Sequence, residues 1–234
     1  MKRSPTYKGI AKHNKDIPKH NKDIAKHNKD TPPTMDKQVQ LAMAKWPNVP
    51  HCYGWLGLDA RGAWRMRDQR AQELGLLGSK IANVTLRGFI DRNYLADEQG
   101  RYFFQNGPQR VYVELEATPY IAHSDPASGW VLHTGAVLSV CDAAWMTADG
   151  KLILRSGDYL AQIDDRDMAT AMSQLAWQGQ PASDEHIVNW LENPQDGMTF
   201  LMHGHAVPVQ MSSLGLLAQS LPFVNSPFLA QALP

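Results

Sequence analysis

Two glutamates, Glu114 and Glu116, stand two residues apart in the segment Arg110-Val-Tyr-Val-Glu-Leu-Glu-Ala-Thr118. In an extended strand that spacing places both carboxylates on one face with Arg110, where they could hold a metal or serve as acid and base. More often such a face is solvated and carries a cross-strand ion pair. His203 and His205 flank Gly204, so both imidazoles could reach one metal, with His123 or His133 completing the shell. Two histidines alone more commonly serve structure or surface. A third set is aromatic and cationic: Trp55, Trp64, Trp130 and Trp145 fall in strand or turn segments, and two of them could line a cleft with Arg65, Arg67 or Arg110. Most of these tryptophans should be core, but indoles beside guanidinium groups in an open cleft suit a planar or anionic small ligand.

The candidate ligand-binding residues are therefore Trp55, Trp64, Arg65, Arg110, Tyr112, Glu114 and Glu116, and the candidate metal ligands are His203 and His205. No residue is assigned as catalytic and no cofactor is expected. The chain has no Gly-x-Ser-x-Gly, HExxH, GxGxxG or phosphate-loop motif, and Ser139, Ser212 and Ser213 lack any flanking signature of a nucleophile.

The elements that must position these groups read as α+β. Arg101–Gln105 and Arg110–Thr118 form a hairpin around Asn106-Gly107-Pro108, with Val111, Val113, Leu115 and Ala117 facing a core and Arg110, Tyr112, Glu114, Glu116 and Thr118 facing water. Asp36–Trp46 is an amphipathic helix stopped by Pro47, and Pro50–Asp68 a second hairpin turning at Ala60-Arg61-Gly62. Gln69–Leu76 reads as a short helix, and Ser79 as the cap of a helix reaching about Leu95. Gly129–Ala144 suggests two strand segments around Gly135, Lys151–Arg155 a strand, and Asp167–Trp177 a helix opened by Asp164, Asp165 and Asp167. Ser183 caps a helix to Leu191; Met198–His203 and Ala206–Gln210 form a last hairpin. The end reads as coil held by Phe223 and Phe228.

At 234 residues, 43% hydrophobic and 20% charged, the chain suits one large domain or two small ones. It lacks an uninterrupted run of ~18 apolar residues and an apolar segment after its first basic residues, so no membrane span or secretory leader is expected and the cytoplasm is the expected compartment. Cys52 and Cys141 are too few for a disulfide framework. The net charge of zero hides a division: residues 1–34 hold nine Lys or Arg against three Asp, a net +6, and the remainder 14 against 20, a net −6. An acidic body is a poor match for a phosphate backbone, which argues against nucleic acid as a partner.

Residues 12–32 are three copies of seven residues beginning Lys-His-Asn-Lys-Asp. One substantial apolar residue per copy and Pro18 and Pro32 exclude a coiled coil, so residues 1–34 read as a disordered basic tail, with Met35 as an alternative start. A tail of this kind offers no fixed geometry for a metal at His13, His20 and His27. Two lobes, 35–121 and 122–234, are expected.

Four segments open a strand after an acid-to-glycine turn: Asp59…Gly62, Asp97…Gly100, Asp149-Gly150 and Asp196-Gly197. Such turns are common, but together they suggest repeated helix plus β-hairpin units forming antiparallel and mixed sheets packed with a few helices. Trp55-Leu-Gly-Leu-Asp-Ala-Arg-Gly-Ala-Trp64, the helix of Leu86, Phe89, Ile90 and Tyr94, then Asp97…Gly100-Arg-Tyr and Pro108-Gln-Arg-Val-Tyr-Val-Glu-Leu-Glu-Ala-Thr-Pro-Tyr120, resemble an uncharacterised proteobacterial family known only as a domain of unknown function. The resemblance spans residues 53–121. It implies a repeated α/β motif and a signalling role, and it supplies no catalytic residues.

The expected function is a non-enzymatic regulatory module that binds a small molecule or a protein. The alternative is a metal-dependent or acid–base hydrolase using Glu114, Glu116, His203 and His205. A scaffold exposing an edge strand is a third reading, and it would form a homodimer.

Overall fold

The computed structural model describes residues 35–221 and 223–231, so the repeat tail and its three histidines lie outside the described residues. The chain builds an α+β fold from two mixed sheets. In the first half, α1 (Lys37–Lys45) precedes β1 (Cys52–Leu58), β2 (Trp64–Met66), α2 (Gln69–Glu73), β3 (Ser79–Lys80), α3 (Val84–Arg92), β4 (Tyr94–Ala96), β5 (Tyr102–Asn106) and β6 (Gln109–Leu115). These strands form a six-stranded sheet in the order β3-β2-β1-β6-β5-β4. Only β1 and β6 run parallel, pairing Leu56 with Val113 and Leu58 with Leu115. A parallel pair needs a long crossover, and everything from β2 to β5 supplies it.

The chain leaves this sheet at Leu115 and enters the second at β7 (Tyr120–Asp125). There follow β8 (Gly129–Leu132), β9 (Ala143–Met146), β10 (Leu152–Ser156), β11 (Tyr159–Ile163), a 3-10 turn at Asp165–Asp167, α4 (Met168–Met172), β12 (Leu175–Trp177), β13 (Gln180–Pro181), α5 (Asp184–Glu192), β14 (Met198–Met202), β15 (His205–Met211), α6 (Leu214–Ser220) and α7 (Pro227–Gln231). The nine strands lie in the order β13-β12-β14-β15-β9-β10-β11-β7-β8, with β7/β11 and β9/β15 parallel.

One hydrophobic cluster joins the sheets, running from Leu56, Leu58, Val113 and Leu115 to Ala122, Ile153, Ala161 and Ile163. Three tryptophans are buried in it, and each indole N–H has an acceptor: Asp91 for Trp64 (2.7 Å), Gln174 for Trp130 (2.8 Å) and the Gln195 carbonyl for Trp190 (2.7 Å). Their apolar bodies gain from burial without orphaning the N–H.

Three hairpins share one turn. In residues 59–63, 97–101 and 147–151 the first amide donates to the fifth residue's carbonyl, and the glycine amide donates to the first residue's carbonyl. Gly62, Gly100 and Gly150 have φ between +72° and +78°, which other residues adopt at a cost. A side-chain oxygen of the first residue accepts from the fifth residue's N–H: Asp59, Asp97 and, in the third turn, the hydroxyl of Thr147. The structural start of that third turn is thus Thr147, not Asp149. Asp196-Gly197 is different: Gly197 (φ +121°) receives the Gln178 amide where β14 pairs with β12.

Four expected elements are corrected. Ser79 starts no helix; it pairs in β3 with Met66, and Asn83 caps α3 by accepting from Leu86 N–H at 2.9 Å. That helix ends at Arg92, because the Asn93 side chain turns back to the Phe89 carbonyl and Tyr94 joins a strand. The segment 167–177 is a single helical turn and then β12, which closes on β13 through Gln178 (φ +50°) and Gly179 (φ +80°), the left-handed pair of a tight hairpin. The C-terminal segment is two short helices. Phe223 is buried, but Phe228 is exposed, and the segment is tied instead by Asn225 to the Leu115 and Ala117 backbone and by Ser226 to Glu114. Finally, the outer face at Tyr112 is not solvated: Tyr112 is 0% exposed, stacked on Tyr53 (4.5 Å, 7°) beneath the Arg101 guanidinium.

Candidate functional site

Two of the three matching turns line one cleft. The 59–63 turn of the first sheet and the 147–151 turn of the second both border a cavity of about 530 Å³. Leu77, Ile163 and Met168 supply its apolar wall, and Gln162 of β11 lines it from within the second sheet. Gln162 is 4% exposed; its backbone N–H donates to the Thr118 hydroxyl at 2.7 Å, while its side-chain Oε1 is buried with no hydrogen-bond partner. A buried, unpaired amide oxygen costs roughly 1–3 kcal/mol, and this one is closed off from the open cleft as well as from the chain's own donors.

The charged groups around Gln162 are fixed by one another. Asp59 accepts backbone N–H bonds from Arg61 and Ala63 on Oδ1, and the Arg65 guanidinium on Oδ2. Arg61 donates through Nε (2.9 Å) and Nη2 (2.7 Å) to Asp165, joining the turn to the segment after β11. Glu116 Oε2 accepts from Ala60 N–H at 2.7 Å. On the second turn, the Thr147 hydroxyl and Lys151 hold Asp149 below the usual carboxylate range.

Of the residues expected to bind a ligand, Arg65 and Glu116 line this cleft, and the others do not. Trp64 is buried behind them on Asp91. Trp55 is 47% exposed on the far face of its sheet from Leu56. Arg110 stacks over Phe103 at 4.5 Å, and Tyr112 is sealed under Arg101. Glu114 is occupied by the C-terminal segment: Oε2 takes the Ser226 hydroxyl (2.5 Å), Oε1 the Phe228 N–H (3.0 Å), and Arg67 approaches to 3.9 Å. The two glutamates thus share a face but hold two separate pieces of chain. A smaller cavity of about 270 Å³ beside Arg67 and Glu114 adjoins the cleft, sharing Leu77 and Glu116.

The histidines separate likewise. His203 Nε2 lies 3.3 Å from the Leu138 carbonyl, and His205 is exposed. Among the described residues, one group of potential metal ligands converges, and it contains neither of them: His123, Asp164 and Asp167 lie with their ligand atoms within 4.8 Å of one another. His123 Nδ1 is 3.1 Å from Asp164 and 3.5 Å from Asp167. Arg166 clasps Asp164 and Ser124 donates to Asp167 at 2.6 Å, so hydrogen bonds and ion pairs account for the group without an ion. His133 packs its ring against Trp64, Tyr94 and Tyr120; its Nδ1 accepts from Ile121 N–H, its Nε2 is buried without a partner, and desolvation pulls its pKa down to about 3. Burial pushes the Cys141 thiol up to about 11, and that of Cys52 upward, so neither offers a thiolate at neutral pH.

Gln162, Lys151, Arg61 and Asp165 were not signalled by residue type. The repeated acid-to-glycine turns were the nearest signal, since two of them became the rims.

Residues 35–228 match a family described as "Protein of unknown function (DUF2946)". No curated protein matches the chain. Two solved structures of DUF1285 family proteins are similar in part: one from Silicibacter pomeroyi DSS-3 (12% identity, TM-score 0.43, 69% of this chain and 82% of that one) and one from Shewanella baltica OS155 (14%, 0.35, 50% and 88%). Likenesses that distant carry no statement about this chain's site.

Proposed function

The chain belongs to this family of unknown function, and we propose that it is a non-enzymatic binding module that takes a small polar molecule into the cleft between its sheets and serves regulation. The observation that carries this reading is the cleft itself, about 530 Å³ between the two sheets and lined by Asp59, Glu116, Asp149 and Asp165 with Arg61, Arg65 and Lys151. The size supports it, since small-molecule sites run from ~300 to 1,000 Å³. The electrostatics support it too. Each carboxylate of the rim is already tied to an N–H or a cation, which suits recognition more than proton transfer.

The signalling role implied by the sequence resemblance and the expected cytoplasmic setting belong to the same proposal. Glu114, Glu116, His203 and His205 form no common group of potential metal ligands among the described residues, which favours binding over the hydrolase alternative. Thermal unfolding of the full chain against metabolites, nucleotides and divalent metals tests the reading, since a ligand of the native state raises the midpoint by mass action. A rise with a small organic molecule that disappears in Gln162→Ala supports it. A rise with metals alone, abolished by Asp164→Asn, overturns it.

A further inference from the structure

The C-terminal segment reaches back 110 residues, from Asn225 to Leu115, and the bonds that seat it there bear on the cleft wall. Resting on the cleft reading above, we infer that residues 224–231 form a releasable strap that controls this site: seated, it fixes Glu116 and through it the 59–63 turn, and released, it lets both go.

Hydrogen bonds do most of the seating. Val224 N–H donates to the Gly100 carbonyl (3.0 Å) and Leu115 N–H to the Asn225 carbonyl (2.7 Å), while Glu114 takes the Ser226 hydroxyl on Oε2 and the Phe228 N–H on Oε1. Glu114 is thus the strap's seat. Phe223, just ahead of the strap, is buried in the core, and Pro227 is buried within it. The remainder faces solvent: Asn225 is exposed, Phe228 is 42% exposed and Leu229 64%. Apolar burial is what makes a segment hard to open, and this one has little of it beyond Pro227, so it opens without the rest of the fold.

The link to the cleft runs through Asn225. Its carbonyl takes the Leu115 N–H and its amide nitrogen donates to the Ala117 carbonyl at 3.0 Å, so it grips the backbone on both sides of Glu116. Glu116 in turn holds the cleft turn, accepting from Ala60 N–H at 2.7 Å. Strand β6 ends at Leu115, and past that point the Glu116 backbone has the Leu58 carbonyl on one side and the strap on the other. A second route starts at Glu114. Arg67 approaches it to 3.9 Å and donates through Nε to the Leu76 carbonyl, next to Leu77 on the cleft wall. Both routes end on the two residues, Leu77 and Glu116, that the cleft shares with the cavity beside the strap. By reciprocity, a molecule that binds best to the fixed turn also holds the strap down.

Amide hydrogen exchange of the full chain tests this with no ligand present. Leu115 and Phe228 N–H, both bonded across the strap contact, should exchange at least ~100-fold faster than Leu154 N–H, whose residue pairs with Ala161 in the core. In Asn225→Ala, Ala60 N–H should exchange about threefold faster or more, while Ala63 N–H, held by Asp59 in the same turn, keeps its rate. Ser226→Ala, which takes the hydroxyl from Glu114, should act in the same direction. Each rate is compared with Leu154 in the same variant, so a general loss of stability cancels. Exchange of Leu115 and Phe228 at the core rate overturns the inference, because the strap then opens only when the whole chain unfolds. An unchanged Ala60 rate in both variants, or an equal rise at Ala63, overturns control of the turn. Either failure leaves the cleft reading standing, since that reading falls on a different result: the failure of every small molecule in the thermal screen, which would take the strap's control of a binding site with it.

Discussion

The outer face of the six-stranded sheet and the cleft between the sheets are assembled from the same kinds of side chain, and they differ in what those side chains have left to offer. On the outer face, Tyr112 donates to Asp97 (3.1 Å), accepts from Arg101 (3.3 Å) and stacks on Tyr53, while Glu114 is filled by Ser226, Phe228 and Arg67. In the cleft, Glu116 keeps an oxygen without a partner and Arg61, Arg65 and Lys151 keep donors, while the amide oxygen of Gln162 is buried unpaired within the wall. Gln105 on the outer face also has an unpartnered Oε1, but it lines none of the cavities described above, and its amide nitrogen holds the Gly107 carbonyl. Arginines, glutamates and aromatics signal a binding site only where their hydrogen bonds are unfinished. Where they are finished, the same residues are structure.

The largest effect that would sharpen this contrast is Tyr112→Ala. Removing a fully buried ring that stacks on Tyr53 should cost about 3–5 kcal/mol in urea unfolding, while ligand affinity measured on the fraction still folded stays near wild type. Next comes acid. His133 is buried neutral with its pKa lowered to about 3, while the unfolded chain binds a proton near 6.5. The stability its neutral form contributes is complete above pH 6.5 and is lost as pH falls toward 3, by about 2–3 kcal/mol at pH 4.5. His133→Asn, which keeps an acceptor for Ile121 N–H, should flatten that acid limb in a pH series of unfolding curves.

The order in which these residues could be foreseen follows how local their causes are. The β5–β6 hairpin and the α5 cap at Ser183 were legible because alternation, turn and cap lie within a few residues. The inward face of β6 was legible for the same reason. The burial of Tyr112 was not, because its cover comes from Tyr53, placed beside it by the parallel β1–β6 pairing. Strand β12 hid inside a helix-like pattern, since Leu175 and Ala176 satisfy either period, and pairing with β14 decides it. Gln162 was invisible because a missing partner is a property of the assembled cleft: its neighbours come from residues 59–65, 77, 116 and 149–168. Glu116 was found by its type, and its real partner, Ala60 N–H, lies 56 residues away.

A smaller effect separates the regions by their ligands. Arg61→Ala removes the exposed pair with Asp165 and should leave the unfolding midpoint nearly unchanged while weakening ligand binding severalfold by calorimetry. A large fall in the midpoint would recast that pair as structural.

The central claim, that finished hydrogen bonds mark structure while the cleft wall carries an unfinished one, is tested most directly by urea unfolding of Gln162→Leu beside Tyr112→Phe. Removing the Tyr112 hydroxyl, which is satisfied by Asp97 and Arg101, should destabilise by about 1 kcal/mol, whereas replacing the unsatisfied amide by an apolar group of similar size should leave stability equal or raised by about 1 kcal/mol. Two losses of the same size would contradict the account, because they would mean that Gln162 is already satisfied within the folded chain.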